Sequence, residues 1–87
     1  MKTCVIIPTY NESPTIADLV KRIRQQGLEV LVVDDGSGDS TFHIAQDAGA
    51  RVLKNPVNMG KGVSLIRGFD YALANDFDAV ITMDGDG

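Results

Sequence analysis

Apolar residues of this chain gather in four short runs, and longer stretches with a helical spacing of apolar positions separate them. The runs are rich in Val and Ile and nearly continuous, which is typical of strands buried on both faces. They predict β-strands at residues 3–8, 29–34, 51–54 and 78–84.

Three helices are predicted between these strands. The first takes Ser13 as its cap and Pro14 as its first residue, and it ends near Gly27, where a C-terminal glycine belongs. The second is short and is capped by Asp39 or Ser40.

The third helix is predicted over about residues 61–75, with Gly68 as a weak point inside it. Its apolar residues recur at helical spacing and form an apolar stripe. They are Leu65, Ile66, Phe69, Ala72 and Leu73. The resulting order β-α-β-α-β-α-β predicts an α/β fold, a three-layer Rossmann-like parallel sheet with right-handed crossovers.

Polar residues collect after the strands rather than before them. In parallel α/β sheets ligands bind beyond the carboxyl ends of the strands, so any function is expected at that edge. The segments that follow the four strands are PTYNES, DDGSGDS, NPVNMGKG and DGDG.

The segment DGDG carries the most suggestive chemistry. Asp84 and Asp86 are separated by one glycine, so both carboxylates can turn towards one hard cation. Mg²⁺ is usually held by one or two carboxylates, and waters and substrate phosphates complete its shell. The pair therefore indicates a metal–diphosphate clamp, while an acidic turn is the alternative, because Asp and Gly are common turn residues.

The loops after the first two strands offer groups that suit a nucleotide. Asp34 or Asp35 can accept a hydrogen bond from a base or ribose, or either can close a turn. Tyr10 has a flat face for a nucleobase or sugar. Glu12 precedes the predicted helix, where a carboxylate also suits the positive helix end.

The third loop does not match a known phosphate-binding motif. A Walker A motif needs glycine where Asn55 stands and Ser or Thr where Gly62 follows Lys61. No G-x-G-x-x-G follows the first strand, which argues against a dinucleotide site. Lys61 lies near a helix start and can meet a phosphate, although a solvated lysine is the favoured interpretation.

Composition narrows the class of protein. The 87 residues suffice for one domain at most, and the net charge of −4 argues against a nucleic-acid partner and suits a site that holds an anion through a divalent cation. The single cysteine, Cys4, excludes an internal disulfide and a cysteine-cluster metal site. Neither a signal peptide nor a membrane span is apparent, and a cytoplasmic location is expected.

The loops together resemble the nucleotide-binding half of family-2 glycosyltransferases, which have the GT-A fold. The nearest branch resembles the dolichol- and polyprenyl-phosphate sugar transferases. The resemblance extends over essentially the whole chain and rests on four motifs in the right order. They are VIIPTYNE (5–12), VVDDGSGDST (32–41), NMGKG (58–62) and ITMDGDG (81–87).

The resemblance implies a set of site residues. The cofactor would be Mg²⁺ or Mn²⁺, held by Asp84 and Asp86 of the D-x-D motif, in which Gly85 replaces the alanine that the family often has. The residues that would contact the nucleotide are Pro8, Tyr10, Glu12, Val33, Asp35, Asp84 and Gly85.

The resemblance also implies an activity for the parent protein. It would be an inverting transferase that moves a sugar from a UDP- or GDP-sugar to an acceptor such as a lipid phosphate, at the cytoplasmic face of a membrane. In the family D-x-D lies near the middle of the catalytic domain. Residues 1–87 are therefore expected to be the nucleotide-sugar-binding half of a GT-A domain, truncated after D-x-D, without a catalytic residue and inactive alone.

Two other functions stay open. The chain can be a binding module that holds nucleotide or metal without chemistry. A receiver-like signalling domain is suggested by the doublet in VVDD, but receivers carry it after strand 1 and not after strand 2. The fourth strand is expected to lie at a sheet edge, and parts of the segment LIRGFDYAL (65–73) of the third helix are expected to be exposed. We therefore also predict self-association, most simply through the fourth strand.

Overall fold

The computed structural model describes residues 1–84, and they form one parallel sheet with helices on both faces. The predicted order of elements is confirmed. The elements are β1 (Thr3–Thr9), α1 (Ser13–Arg24), β2 (Glu29–Asp34), α2 (Thr41–Asp47), β3 (Arg51–Lys54), α3 (Lys61–Ala74) and β4 (Ala79–Thr82). Gly85 and Asp86, for which roles in the site are predicted, lie outside the described residues.

The sheet has the order β3-β2-β1-β4, so β1 lies between β2 and β4. Alternate side chains of β1 point to opposite faces. Val5 and Ile7 pack in one cluster with α1 and α2, whereas Cys4 and Ile6 pack in a second cluster with α3. The predicted three-layer arrangement is therefore confirmed.

Helix α1 begins one residue earlier than predicted. Its N-cap residue is Glu12, and Ser13 is already helical and makes no cap. The reason is that the carbonyl of Glu12 accepts hydrogen bonds from the amides of Thr15 and Ile16, both at 3.0 Å. Glu12 therefore closes the first turn through its backbone, which leaves its side chain available at the sheet edge.

Asp39 and Ser40, the two residues predicted to cap α2, have different roles at its start. Ser40 is the N-cap residue of α2, but its hydroxyl makes no cap bond. One oxygen of Asp39 instead accepts hydrogen bonds from the hydroxyl of Thr41 and from its amide, the latter at 3.0 Å. These hydrogen bonds lower the pKa of Asp39 below its usual value.

Only part of the predicted apolar stripe of α3 faces the core, and parts of the segment 65–73 are exposed, as predicted. The buried residues of α3 are Ser64, Gly68 and Ala72, which follow each other at intervals of four, while Leu73 is 76% exposed. The cause is a close approach at Gly68, where an added Cβ would lie 2.6 Å from Cγ2 of Ile6. The small residues allow α3 to pack close to the sheet, and several of its larger apolar side chains remain exposed to solvent.

Strand β4 differs from the prediction of strands buried on both faces. It is shorter than predicted, and Val80 and Ile81 remain 41% and 43% exposed. In the part of the chain that the structure describes, β4 pairs only with β1 and forms an edge. None of the helices within residues 1–84 combines the length and the apolar character that crossing a membrane would require.

Candidate functional site

A cleft of about 460 Å³ opens at the carboxyl edge of the sheet, where the chain leaves β1, β2 and β4. Its walls come from all three predicted loops and from the end of β4. The predicted site residues that line the cleft are Pro8, Tyr10, Glu12, Asp35 and Asp84. Chain segments far apart in sequence thus meet at the edge that the strand pattern indicated.

One predicted nucleotide contact, Val33, does not line the cleft. Val33 is fully buried and packs with Ile6 and Leu31 in the core beneath α3. Gly85 lies outside the described residues, as does the second predicted metal ligand, Asp86. The roles predicted for these residues remain predictions.

The loop after β1 is fastened to the loop after β2 by side-chain hydrogen bonds. The amide of Asn11 donates to Oγ of Ser37, and Oδ1 of Asn11 accepts from the amide of Gly38, both at 2.9 Å. The amide of Glu12 donates to Oγ1 of Thr41 at 3.0 Å. These bonds hold the loop so that the ring of Tyr10 is exposed at the cleft.

Asp34 takes the turn role that the sequence allowed for either member of the doublet. Its side chain is fully buried, and Oδ1 accepts hydrogen bonds from the amide of Ser37 at 3.1 Å and from the Ser37 hydroxyl. Asp34 therefore shapes the loop after β2 from within.

Asp35 joins this loop to the one that precedes α3. Its Oδ1 accepts hydrogen bonds from the Met59 amide at 2.7 Å and from Nδ2 of Asn55 at 2.9 Å, and its Oδ2 accepts from the Gly60 amide at 2.9 Å. Burial tends to raise the pKa of Asp35, but these hydrogen bonds, with that of Ser64, outweigh it and hold the pKa below its usual value. Asp35 is thus an ionised residue that lines the cleft and holds residues 55–60 in place.

A glycine allows the two loops to approach each other. Gly36 has a φ of +77°, and a Cβ there would lie 2.5 Å from the carbonyl carbon of Val57. Behind this contact, Nδ2 of Asn55 donates to Oγ of Ser64 at 3.0 Å, and Arg67 donates to Oδ1 of Asn55. The loop before α3 is therefore held from both sides.

Lys61 and Asp84 meet across the cleft. Nζ of Lys61 lies 2.7 Å from Oδ1 of Asp84, and the two side chains are 63% and 68% exposed. Lys61 is the first residue of α3, and its N-cap residue, Gly60, has no side-chain cap. The positive end of a helix dipole and a lysine thus face the same space as the carboxylate, an arrangement that suits a bound anion.

Sequence reasoning missed several residues of the cleft. Asn58 and Gly60 line it, although only the motif that contains them, NMGKG, had been noted. Ser64 and Thr9 also line it, and neither had been noted as a site residue. Oγ1 of Thr9 is buried and has no hydrogen-bond partner among residues 1–84. A signal for Ser64 was its spacing of four from Gly68, whereas nothing in the sequence distinguishes Thr9 from an ordinary strand residue.

The described residues fit a divalent cation only in part. They contain no group of three or more His, Cys, Asp or Glu side chains that could enclose a metal. Asp84, however, already pairs with the positively charged side chain of Lys61 at an exposed position. One such carboxylate, joined by a ligand's phosphates, matches the way in which Mg²⁺ is commonly held.

Comparison with known proteins gives relatives of the chain. It is 40% identical over 85 residues to glycosyltransferase AglJ of Haloferax volcanii, an alignment that covers 97% of this chain and 27% of AglJ. It is 39% identical over 94 residues to dolichol-phosphate mannosyltransferase of Pyrococcus furiosus, with 99% of this chain and 26% of that protein covered. The chain thus spans about a quarter of the length of these two relatives.

A solved structure has the same fold. Glucosyl-3-phosphoglycerate synthase of Mycobacterium tuberculosis, crystallised with Mn²⁺, UDP-glucose and phosphoglyceric acid, superposes with a TM-score of 0.80 at 32% identity, covering 97% of this chain and 33% of that one. The family model described as glycosyl transferase family 2 matches residues 4–87. These matches displace the receiver-like interpretation. The chain belongs to glycosyl transferase family 2.

Proposed function

We propose that the cleft binds the nucleotide diphosphate of a sugar donor, and that the enzyme to which these residues belong transfers the sugar. The observation that carries the proposal is the meeting of Lys61, Asp84 and the first turn of α3 in one cleft. A leaving diphosphate needs a group that binds phosphate and a carboxylate that binds metal, and Lys61 and Asp84 are side chains of these two kinds.

The residues that line the cleft fall into two groups along its length. Tyr10 and Glu12 follow β1 on the side of β2 and offer a ring face and a carboxylate to the nucleoside, with Asp35 beside them. Lys61 and Asp84 lie at the β4 side and face the diphosphate. Neighbouring strands are about 4.8 Å apart, so a site that extends from β2 to β4 has the length for a nucleoside diphosphate.

Asp84, with Asp86, is proposed to hold Mg²⁺ or Mn²⁺. The metal would supply positive charge to the diphosphate as it leaves. This chain's own part is to bind and orient the donor: Lys61 and the amides at the start of α3 bind phosphate oxygens.

The whole enzyme's chemistry is proposed from its relatives. We infer an acceptor that carries a lipid phosphate, because a relative is a dolichol-phosphate mannosyltransferase, and transfer with inversion at a membrane's cytoplasmic face. Residues 1–87 would form the donor-binding part of the GT-A domain. The acceptor and the base would then be bound by other parts of the enzyme, and no nucleic acid would be involved.

The donor site can be tested by calorimetry. Mn²⁺ is titrated into the chain alone and into the chain with UDP or GDP. We expect weak Mn²⁺ binding alone and tighter binding with the nucleotide, because the diphosphate completes the coordination shell. Asp84→Asn should abolish the difference, while Asp47→Asn, an exposed change on α2, should not. Tight binding of Mn²⁺ that is the same with and without the nucleotide would contradict the proposal.

A binding module without chemistry is the second candidate. It is favoured by the fact that the described cleft holds donor-binding groups and no assigned base. Incubation of the chain with UDP- and GDP-sugars distinguishes the two functions. Nucleotide binding without release of sugar is expected for residues 1–87 alone, and turnover by them would show that the catalytic groups are already present.

We further propose that the chain self-associates through β4. The strand is apolar and pairs only with β1 among the described strands, so it presents free backbone groups along one side. A second copy that pairs its own β4 there would cover Val80 and Ile81, which are otherwise exposed.

A further inference from the structure

We propose that Lys61 is an internal counter-cation that occupies Asp84 until metal and nucleotide arrive, and that it thereby couples the binding of one to the binding of the other. The inference rests on the proposed donor site. It assigns to Lys61 a role beyond phosphate contact: the residue sets how strongly Asp84 binds a metal in the absence of the nucleotide.

The charge distribution of the cleft singles out this pair. Among the described residues that line the cleft, Lys61 carries the only positive side chain, and Glu12, Asp35 and Asp84 carry negative ones. The charge of Asp35 is satisfied by the amides of residues 59 and 60 and by Asn55. Asp84 is the carboxylate that Lys61 neutralises, through a contact of 2.7 Å.

A divalent cation at Asp84 must compete with this ammonium group. Nζ of Lys61 lies beside Oδ1 of Asp84, in the space that a metal bound to this oxygen would occupy. The ion pair therefore has to open before a metal can bind there. Both side chains are more than half exposed, and an exposed pair alters a binding equilibrium only by about fivefold or less. The lysine therefore weakens metal binding without preventing it.

The nucleotide changes this balance. When a diphosphate lies in the cleft, the displaced ammonium gains phosphate oxygens at the start of α3 in exchange for Asp84. The loss of the contact with Asp84 on metal binding is then compensated by contacts with the phosphates. Lys61 should consequently make the metal bind better with nucleotide, and by linkage make the nucleotide bind better with metal, by the same factor.

The test compares Lys61→Met with Lys21→Met. Lys21 is exposed on α1, away from the cleft, so its variant controls for the loss of one positive charge. Free Mn²⁺ is measured by electron paramagnetic resonance with and without saturating UDP, and then GDP. Circular dichroism checks the fold, and Lys61→Gln and Lys61→Arg are measured in parallel.

We expect Lys61→Met and Lys61→Gln to bind Mn²⁺ alone about two- to fivefold more tightly than Lys21→Met does. The ratio of Mn²⁺ affinities with and without nucleotide should fall by at least the same factor, and Lys61→Arg should keep the ratio near that of the unaltered chain. Equal Mn²⁺ affinities in the Lys61 and Lys21 variants, or weaker binding in the Lys61 variants, would overturn the inference.

A fifth variant, Asp84→Asn, separates this failure from failure of the donor site. If Asp84→Asn loses Mn²⁺ binding while the Lys61 variants match the control, the metal site stands and only the coupling role is lost. If Asp84→Asn binds Mn²⁺ as the unaltered chain does, the proposed function and the inference fail together.

Discussion

Asp34 and Asp35 are neighbours in the chain, but they stabilise different parts of the molecule. Successive residues at a strand end point to opposite sides. Asp34 turns back to the amide and hydroxyl of Ser37, and Asp35 reaches the amides of Met59 and Gly60. One carboxylate shapes its own loop, and the other places the loop that presents Lys61 to the cleft.

Asp35→Asn should destabilise the chain. The substitution removes the negative charge and presents an amide N–H₂ to backbone groups that are themselves donors. Loss of charged hydrogen bonds of this kind costs about 1–3 kcal/mol in the free energy of unfolding. Urea denaturation at pH 7 measures the loss, and Asp47→Asn on the exposed side of α2 serves as the control, with little expected change.

The effect of Asp35 on stability should depend on pH in a defined direction. Since its pKa is lowered in the folded chain, its stabilisation is present above the unfolded pKa of about 3.9 and is lost as the pH falls through the folded value. The difference in unfolding free energy between the unaltered chain and Asp35→Asn should be constant from pH 7 to 5 and shrink below about pH 4. A difference that grows on acidification would contradict this.

Asp35→Ala is also predicted to weaken nucleotide binding by about 1–3 kcal/mol, the range of a charged hydrogen bond. The structure suggests two routes for the loss, a direct contact or displacement of the loop at Met59 and Gly60. Titration with UDP and GDP measures the change, and an unchanged dissociation constant would leave Asp35 with a role in loop structure alone.

At the scale of elements, hydrophobic spacing predicted each strand and helix but not the buried face of α3. Long apolar side chains normally mark the inward stripe of a helix. Here the inward positions are Ser64, Gly68 and Ala72. Nothing in the sequence shows that Ile6 rises from the sheet to meet Gly68, because that contact exists only once the layers are packed.

Gly68→Ala and Gly62→Ala form a matched pair on α3. Alanine favours a helix over glycine by about 1 kcal/mol, and at Gly62 an added Cβ meets nothing within 4 Å, so that variant should be slightly stabilised. At Gly68 the added Cβ would strike the fully buried Ile6, and overpacking should cost about 1–3 kcal/mol. Thermal and urea unfolding measure both, and equal stabilisation of the two variants would refute the close approach.

At the scale of the whole molecule, the position of the cleft could be predicted because parallel strands bring their carboxyl ends to one edge. The motifs also indicated the residues Tyr10, Glu12 and Asp84. The contribution of Thr9 could not be predicted, because it depends on which buried hydroxyl is left without a partner after folding. Nor could the pairing of Lys61 with Asp84, since it links segments that only the sheet order brings together.

Self-association through β4 is a prediction about the molecule as a whole. Ile81→Lys should reduce it, because a charged side chain on an edge strand opposes pairing with another chain. Ile66→Lys adds the same charge at an exposed position of α3 and is the control. Light scattering over a concentration series should show association of the unaltered chain and the control but not of Ile81→Lys. A monomer at all concentrations would contradict the prediction.

The central claim is that a metal and a nucleoside diphosphate bind together in the cleft between β1 and α3. Amide NMR spectra of the chain with UDP or GDP, recorded as Mn²⁺ is added, test it most directly. Paramagnetic broadening is expected first at Thr9, Tyr10, Lys61 and Asp84, and much less of it is expected when the nucleotide is absent. Broadening that centres elsewhere, or that is the same without nucleotide, would refute joint binding in this cleft.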